Sequence, residues 1–119
     1  MSIFNSIEIL VVDDESNIRK LFSRELASPG RTIHTVGSAA EAFEHLHRHY
    51  YDVIILDIRL PDANGLELMT RLLETVPNVA IILITGYADV DNAVQAMKNG
   101  AYDYITKPFS LDRMEQVIE

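Results

Sequence analysis

"ILVVDDESNIRKLF" (residues 9–22) is the stretch that determines the fold prediction, because a strand, an acidic pair and the start of a helix follow one another within it. Its first four residues are apolar, and a short apolar run of this kind is typical of a strand buried on both faces. Asp13 and Asp14 come next, and a helical pattern of apolar residues begins at Ile18. Two like charges at the end of a buried strand repel each other, so the sequence predicts that another group counters this repulsion.

The same order of strand and helix repeats along the chain. "DVIIL", "VAIILIT" and "YDYIT" predict further buried strands, whereas "TIHTV" is more polar and is expected at an edge of the sheet. The segments between the strands carry apolar residues at helical spacing. The four predicted apolar faces are Ile18, Leu21, Phe22 and Leu26; Ala39, Ala42, Phe43 and Leu46; Met69, Leu72, Leu73 and Val76; and Val90, Ala93, Val94 and Met97.

Local signals mark the start of the second helix, the end of the fourth helix and the start of a fifth. Ser38 and Glu41 have the spacing of a capping box at the start of the second helix. Gly100 stands where a left-handed residue would end the fourth helix, and a fifth helix is predicted from about Ser110. Regular alternation of strand and helix predicts an α/β fold, a doubly wound five-stranded parallel sheet with five flanking helices and right-handed crossovers.

Composition limits the classes of function. A chain of 119 residues that is 48% hydrophobic fits a single domain over residues 1–119. The net charge of -8 argues against direct binding to nucleic acid or to an anionic membrane surface. The sequence has no cysteine, no targeting signal and no apolar run long enough to span a bilayer, so we expect a cytoplasmic protein.

Five polar residues are predicted to share one edge of the sheet. In an open parallel sheet the ligand site lies beyond the carboxyl ends of the strands. Asp13 and Asp14 follow the first strand, Asp57 follows the third, and Thr85 and Lys107 follow the fourth and fifth. Each of these residues alone has an ordinary structural explanation, such as a helix cap, a turn residue or a solvated charge. Their convergence on one edge favours a functional site.

The chemistry of this set fits the capture of a phosphoryl group. Three carboxylates close together favour a hard divalent cation, and Mg2+ is usually held by one or two carboxylates together with a phosphate. Asp13 and Asp14 suit the metal, and Asp57 is the candidate nucleophile that would form an aspartyl phosphate. The hydroxyl of Thr85 and the ammonium group of Lys107 can hold phosphoryl oxygens.

Four motifs resemble those of the receiver domains of two-component response regulators. They are "VVDDE" (residues 11–15), "LDIRLPDANG" (residues 56–65), "ITG" (residues 84–86) and "GAYDYITKPF" (residues 100–109). Together they extend over essentially the whole chain. The longer stretch "TGYADVDNAVQAMKNGAYDYITKPF" is most similar to receivers of NtrC-type activators that depend on sigma-54.

The resemblance implies a role for each site residue. Asp57 would be the phosphoacceptor, Asp13 and Asp14 the metal-binding pair together with the backbone carbonyl of Arg59, and Lys107 the phosphate-binding lysine. The switch residues would be Thr85 and Tyr104. The resemblance also implies the flavodoxin-like strand order 2-1-3-4-5. It implies no enzyme beyond Mg2+-dependent self-phosphorylation and slow autodephosphorylation.

The resemblance also implies partners. A sensor histidine kinase would donate the phosphoryl group, and the surface of the fourth helix, fifth strand and fifth helix would change in response. The helical pattern of "SLDRMEQVIE" still continues at Glu119. We therefore expect the chain to be the N-terminal part of a longer regulator, with an ATPase and a DNA-binding module as the output. A homodimer formed on activation is a further partner that the resemblance allows.

Three other functions are less consistent with the sequence than that of a receiver domain. A receiver-like docking module would work without phosphorylation, but the intact set of five residues argues against it. A haloacid dehalogenase-type phosphatase would need a second aspartate two residues after its nucleophile, where this chain has Arg59, and its nucleophile would follow the first strand. A flavodoxin would bind phosphate at its first loop, where "DDESN" would repel it.

"HLHRHY" (residues 45–50) raises the separate question of a metal site. His45 and His49 share a helical face, but the motif contains no carboxylate. We interpret His45, His47 and His49 as the solvated end of a helix.

Overall fold

A computed structural model describes residues 7–58, 60–85, 90–106 and 117–118 of the chain. Strands and helices alternate along it, as the sequence predicts. The elements are β1 (Ile7–Val12), α1 (Ser16–Glu25), β2 (Arg31–Val36), α2 (Ala39–Arg48), β3 (Val53–Asp57), α3 (Gly65–Thr75), β4 (Ala80–Thr85), α4 (Val90–Lys98) and β5 (Asp103–Thr106).

The five strands form one parallel sheet in the order β2-β1-β3-β4-β5. The predicted fold class and strand order are therefore confirmed. β2 has a single neighbour, β1, and all but one of its residues retain some exposure to solvent. This position explains the polar composition of "TIHTV", because an edge strand is only partly covered by helices.

The core is divided by the sheet into two layers. Alternate strand residues face opposite sides, so Leu10 and Val12 lie in one layer whereas Ile9 and Val11 lie in the other. The first layer is completed by residues of α2, α3 and α4, and the second by α1 and the described pair Val117 and Ile118. All five residues of β3 are buried, as expected for the central strand of a sheet covered on both faces.

The predicted apolar face of α4 is wrong where its side chains are described. Val94 and Met97 are 45% and 38% exposed, whereas Ala96 is fully buried in the layer shared with α2 and α3. The inward face of α4 is therefore the one that carries Ala96, and Val94 and Met97 lie on the exposed side. Gly100 has a φ of 116° after the end of α4, which confirms the predicted left-handed stop.

The N-terminus of α2 is capped from two directions. The Ser38 hydroxyl accepts a hydrogen bond from the Glu41 backbone N–H, and Glu41 Oε1 in turn accepts from the backbone N–H of Gly37. The predicted cap by Ser38 is confirmed, with Gly37 as the reciprocal donor. Asp62, from the loop after β3, accepts hydrogen bonds from the backbone N–H groups of Ala39 and Ala40 at 2.9 and 3.2 Å.

The predicted fifth helix falls mostly on residues outside the description. Val117 and Ile118 are helical and buried against the layer that contains α1. None of the helices in the described part of the chain has the length and apolar character needed to cross a membrane.

The loop between β3 and α3 depends on a glycine. Asn64 caps α3 by accepting hydrogen bonds from the backbone N–H groups of Leu66 and Glu67, and Gly65 is the first helical residue. The Gly65 N–H donates to the carbonyl of Ile58 at 2.7 Å. A Cβ atom on Gly65 would lie 2.4 Å from Ile58 Cα and 2.9 Å from the carbonyl oxygen of Asp57. The start of α3 thus lies against the backbone that carries Asp57.

We predict that Gly65→Ala destabilises the domain by about 1–3 kcal/mol, because the new methyl group meets backbone that cannot move aside. Helix propensity alone predicts the opposite sign, since alanine is favoured over glycine by about 1 kcal/mol inside a helix. Urea unfolding measures the difference in the free energy of unfolding.

Gly37→Ala is the comparison variant. Its added methyl group would meet Arg19 Nη1 at 3.0 Å, the end of a side chain and not backbone, so it should cost less than Gly65→Ala even where it disturbs the hydrogen bond from Arg19 to Asp13. A Gly65→Ala protein as stable as the Gly37→Ala protein would show that this close approach is unimportant.

Candidate functional site

Strand register places two acidic residues side by side. Val12 of β1 is paired with Leu56 of β3, so Asp13 and Asp57, each the next residue, leave neighbouring strands at the same height. Adjacent parallel strands lie about 4.8 Å apart. The pairing of β1 with β3 therefore brings together two carboxylates that are distant in sequence.

Asp14 completes a cluster of three carboxylates at this edge. One carboxylate oxygen from each of Asp13, Asp14 and Asp57 lies within 4.8 Å of the others. Asp13 is fully buried and Asp57 is 5% exposed, whereas Asp14 is exposed to solvent. The cluster therefore combines two buried acids with one exposed acid. The sequence-based prediction that these three residues converge is confirmed.

The loop that holds the acidic pair is fixed by its own hydrogen bonds. Asp13 Oδ1 accepts from the backbone N–H of Glu15 at 2.9 Å, the local turn that aspartate commonly makes. The Asp13 N–H donates to the carbonyl of Val36, and the Asp13 carbonyl accepts from Arg19 Nη1 at 2.7 Å. These contacts join the end of β1, the first turns of α1 and the end of β2. The position of Asp13 is thus determined by three elements.

The donor set fits a hard divalent cation. All three candidate ligands are carboxylate oxygens, which Mg2+ prefers over nitrogen or sulfur. Burial of Asp13 and Asp57 increases the repulsion energy between their carboxylates, because the protein interior screens charge less than water does. Because Asp14 is exposed, one side of the cluster is open to water and to a phosphate. The residues present therefore suit Mg2+ chemically.

The other predicted site residues are described less fully. Thr85 is the last residue of β4 and follows Ile84, which pairs with Asp57 in the sheet. Its backbone is thus at the carboxyl edge beside the acidic cluster, while its side chain is outside the description. Arg59 and Lys107 are outside the described residues. Lys107 directly follows Thr106, the last residue of β5 and the partner of Thr85.

Tyr104 occupies the position predicted for the switch aromatic. It lies in β5, is paired with Leu83 of β4, and is partly buried against the core layer shared by α2, α3 and α4. Its backbone N–H donates to the Asp103 carboxylate at 2.8 Å.

Sequence reasoning missed Asp62, although it links the loop after Asp57 to the start of α2. The hydrogen bond from the Ala39 backbone N–H lowers the pKa of the Asp62 carboxyl; desolvation opposes this effect, and the weaker hydrogen bond from Ala40 adds to it. The signal for this contact was weak, because Asp62 and Ala39 are far apart in sequence and "PDANG" already explains an aspartate as a turn residue.

The histidines of α2 are not all part of a solvated helix end. That interpretation holds for His47, which is exposed, but His45 is partly buried and its ring contacts His34 of β2. His49 also contacts His34. The signal that was missed is the alternation of "RTIHTV", which places His34 on one face of the edge strand with Val36.

Comparison with known proteins agrees with this geometry. Residues 9–119 match the family described as response regulator receiver domain. The transcriptional regulatory protein DctD for C4-dicarboxylate transport, from Rhizobium meliloti (strain 1021), is 39% identical over 91% of this chain. The DNA-binding transcriptional regulator NtrC of Escherichia coli (strain K12) is 39% identical over 93%. The chain covers 24% of the length of each of these relatives.

Solved structures show the same fold. The receiver domain of NtrX from Brucella abortus has a TM-score of 0.87 at 35% identity, over 92% of this chain and 93% of that one. A response regulator receiver domain protein from Clostridium thermocellum has a TM-score of 0.88 at 32% identity, over 94% and 90% of the two chains. The resemblance predicted from the motifs, including the similarity to NtrC, is therefore confirmed. The chain belongs to the family of response regulator receiver domains of two-component systems.

Proposed function

We propose that this receiver domain is a phosphorylation-dependent switch in which Asp57 accepts a phosphoryl group from a sensor histidine kinase. The observation that carries the proposal is the convergence of the Asp13, Asp14 and Asp57 carboxylates within 4.8 Å at the carboxyl edge of the sheet. An isolated aspartate at a strand end would have several structural explanations. Two buried acids beside a third favour a site built for a cation and a phosphate.

The proposed reaction is a phosphoryl transfer between two residues. A carboxylate oxygen of Asp57 attacks phosphorus, the P–N bond to the histidine of the kinase breaks, and an acyl phosphate forms on Asp57. Mg2+, when bound, neutralises charge that develops on the phosphoryl oxygens. Asp13 and Asp14, with the backbone carbonyl of Arg59, would hold that ion. Burial of Asp57 limits access of water to the acyl phosphate.

The domain contributes to this reaction mainly by holding the Asp57 carboxylate in position. Asp57 is the last residue of a fully buried central strand, and the backbone beside it is in contact with Gly65 at the start of α3. A carboxylate held so firmly approaches the phosphorus atom in a limited range of directions. This role is regulatory, and we propose no activity beyond Mg2+-dependent self-phosphorylation and slow autodephosphorylation.

We propose that the signal passes from Asp57 to the surface formed by α4, β5 and the segment after β5. Thr85 and Lys107 would form hydrogen bonds to the phosphoryl group, each contributing about 1.5–3 kcal/mol. Two such bonds give about 3–6 kcal/mol, and reversing a 1:99 equilibrium requires about 5.5 kcal/mol. Tyr104, packed beside this path, would turn inward as Thr85 moves.

The proposed output modules are inferred from the proteins to which this chain is similar. DctD and NtrC are transcriptional regulators about four times as long as the matched segment, which supports a longer protein with an output module. We propose that residues 1–119 are its N-terminal receiver domain and that a sigma-54 activator ATPase and a DNA-binding module follow. The kinase acts from the cytoplasm in this proposal, and activation produces a homodimer. The receiver itself, with a net charge of -8, contacts neither nucleic acid nor membrane.

The phosphatase alternative finds no support in the fold. Asp57 is the last residue of β3, the central strand, whereas the nucleophile of a haloacid dehalogenase-type enzyme would follow the first strand. A docking module without phosphorylation would have no need for two buried acids beside each other, because each buried charge costs stability unless it is compensated.

Incubation with Mg2+ and a small acyl phosphate should add one phosphoryl group to the protein, and Asp57→Asn should abolish this modification because an amide oxygen is a poor nucleophile. Intact-mass spectrometry measures the product directly. Asp62→Asn is the matched control, since it removes an aspartate from the same loop that faces α2 instead of the acidic cluster. Unchanged labelling of the Asp57→Asn protein would show that another residue is the acceptor.

Lys107→Ala should still accept the phosphoryl group but should fail to switch, because one of the two proposed contacts is lost. The measurement is the set of amide chemical shifts of α4 before and after phosphorylation. Lys20→Ala, which removes an exposed lysine of α1, should respond like the wild type. Wild-type shifts of α4 in a fully phosphorylated Lys107→Ala protein would contradict the proposed coupling.

A further inference from the structure

Three histidines gather on the α2 side of the sheet, away from the acidic cluster. His34 lies in the edge strand β2, His45 in the last turns of α2, and His49 at the C-cap of that helix. The ring centroids are separated by 5.1 Å for His34 and His49, 6.0 Å for His34 and His45, and 6.3 Å for His45 and His49. We call this group the histidine cluster.

The histidine cluster and the acidic cluster are at opposite ends of α2. The helix starts at the carboxyl edge of the sheet, where Asp62 caps it, and runs for ten residues. At about 1.5 Å per residue, its C-terminus lies about 15 Å from that edge. The histidine cluster is therefore separate from the proposed phosphorylation site, and a ligand bound there would not depend on phosphorylation of Asp57.

Hydrogen bonds determine which ring nitrogens remain available. His45 Nδ1 lies 3.3 Å from the Glu41 carbonyl oxygen, which can only accept, so in the neutral ring the proton is on Nδ1 and the lone pair on Nε2. His34 Nδ1 lies 2.6 Å from Tyr51 Oη. When His34 donates this hydrogen bond, its Nε2 also carries a lone pair.

The Tyr51 hydroxyl must accept from His34 Nδ1, and not donate to it, if His34 Nε2 is to bind a metal. Burial, and to a smaller degree the charge of Glu8, raise the pKa of the Tyr51 hydroxyl above its usual value, so the group stays neutral at physiological pH. The Tyr51 side chain is almost completely buried and its ring lies against both His34 and His49. Histidines that bind metals commonly donate their second N–H to an oxygen acceptor, which orients the ring. His45 already has such an acceptor in the Glu41 carbonyl, and His34 has one when the Tyr51 hydroxyl accepts.

We propose that His34, His45 and His49 bind one divalent transition-metal ion of the type that favours imidazole, for which Zn2+ is the representative probe. Imidazole nitrogen suits Zn2+, Ni2+ and Cu2+, whereas Mg2+ prefers oxygen, so the histidine cluster is not expected to bind Mg2+. Water would occupy the fourth position of a tetrahedral ion.

The spacing of the rings is close to what such an ion requires. A tetrahedral ion with Zn–N distances of about 2.0–2.1 Å places neighbouring ring centroids about 5 Å apart. His34 and His49, at 5.1 Å, already have this separation. The ring nitrogens of the three residues do not all lie within 4.8 Å of one another in this structure. Metal binding therefore requires His45 to approach the other two rings by about 1 Å, through rotation of its partly exposed side chain.

Calorimetric titration with ZnCl2 tests the site, using the protein without a polyhistidine tag and with excess Mg2+ present to occupy the acidic cluster. The wild type should bind one Zn2+, and His45→Ala should bind it at least about tenfold more weakly. His47→Ala is the matched control, because it makes the same substitution on the same helix at an exposed residue outside the cluster. It should retain wild-type affinity.

Two further measurements separate a metal site from ordinary ring packing. Tyr51→Phe keeps the ring but removes the hydroxyl, and should weaken Zn2+ binding about tenfold. The ring resonances of His34 and His49 should shift on addition of one equivalent of Zn2+. The proposal is overturned if the wild type shows no saturable binding, if His45→Ala and His47→Ala bind alike, or if the shifts are confined to the Asp13 and Asp57 loops.

Discussion

The parallel pairing of β1 with β3 is the constraint on which the rest of the site depends. Val12 and Leu56 are partners in the central sheet, so the next residues, Asp13 and Asp57, leave the two strands beside each other. Both strands are buried on both faces, and a slip of one residue would move every apolar side chain to the wrong layer. The hydrophobic core thus determines the separation of two carboxylates that would otherwise repel each other.

The loops around this pair are joined to one another by polar contacts. Asp13 is held by Glu15 and Arg19, and the loop after Asp57 is held by Gly65 on one side and by Asp62 on the other. A movement of either loop therefore disturbs the start of a helix. Such an arrangement suits a protein whose signal begins with a local charge change and ends in a shift of surface elements.

Much of the fold could be predicted from the sequence because its signals are local. Apolar runs of four to six residues predicted the strands, and "DDE" at the end of the first strand predicted the acidic site. The face of α4 was predicted wrongly, because spacing alone favoured Val94 and Met97 whereas packing selected the small Ala96. Helical spacing identifies an amphipathic helix but does not show how closely its backbone can approach a sheet.

Contacts between distant segments were the part that the sequence did not reveal. Asp62 caps a helix that begins 23 residues earlier, and His34 joins histidines from the following helix. Both contacts depend on how the helices and loops between the strands pack on the sheet, and the identity of one residue gives little information about that packing. The convergence of Asp13, Asp14 and Asp57 could be predicted because the carboxyl ends of parallel strands always share one edge.

Mg2+ binding at this edge of the sheet can be measured by titration followed through backbone amide shifts. We expect saturable binding of one ion, with the largest shifts at residues 13, 14 and 57, and at least about tenfold weaker binding to Asp13→Asn, which keeps the size of the side chain but removes its charge. Absence of saturable binding, or equal affinity in the Asp13→Asn protein, would contradict the claim that this edge of the sheet is a cation site.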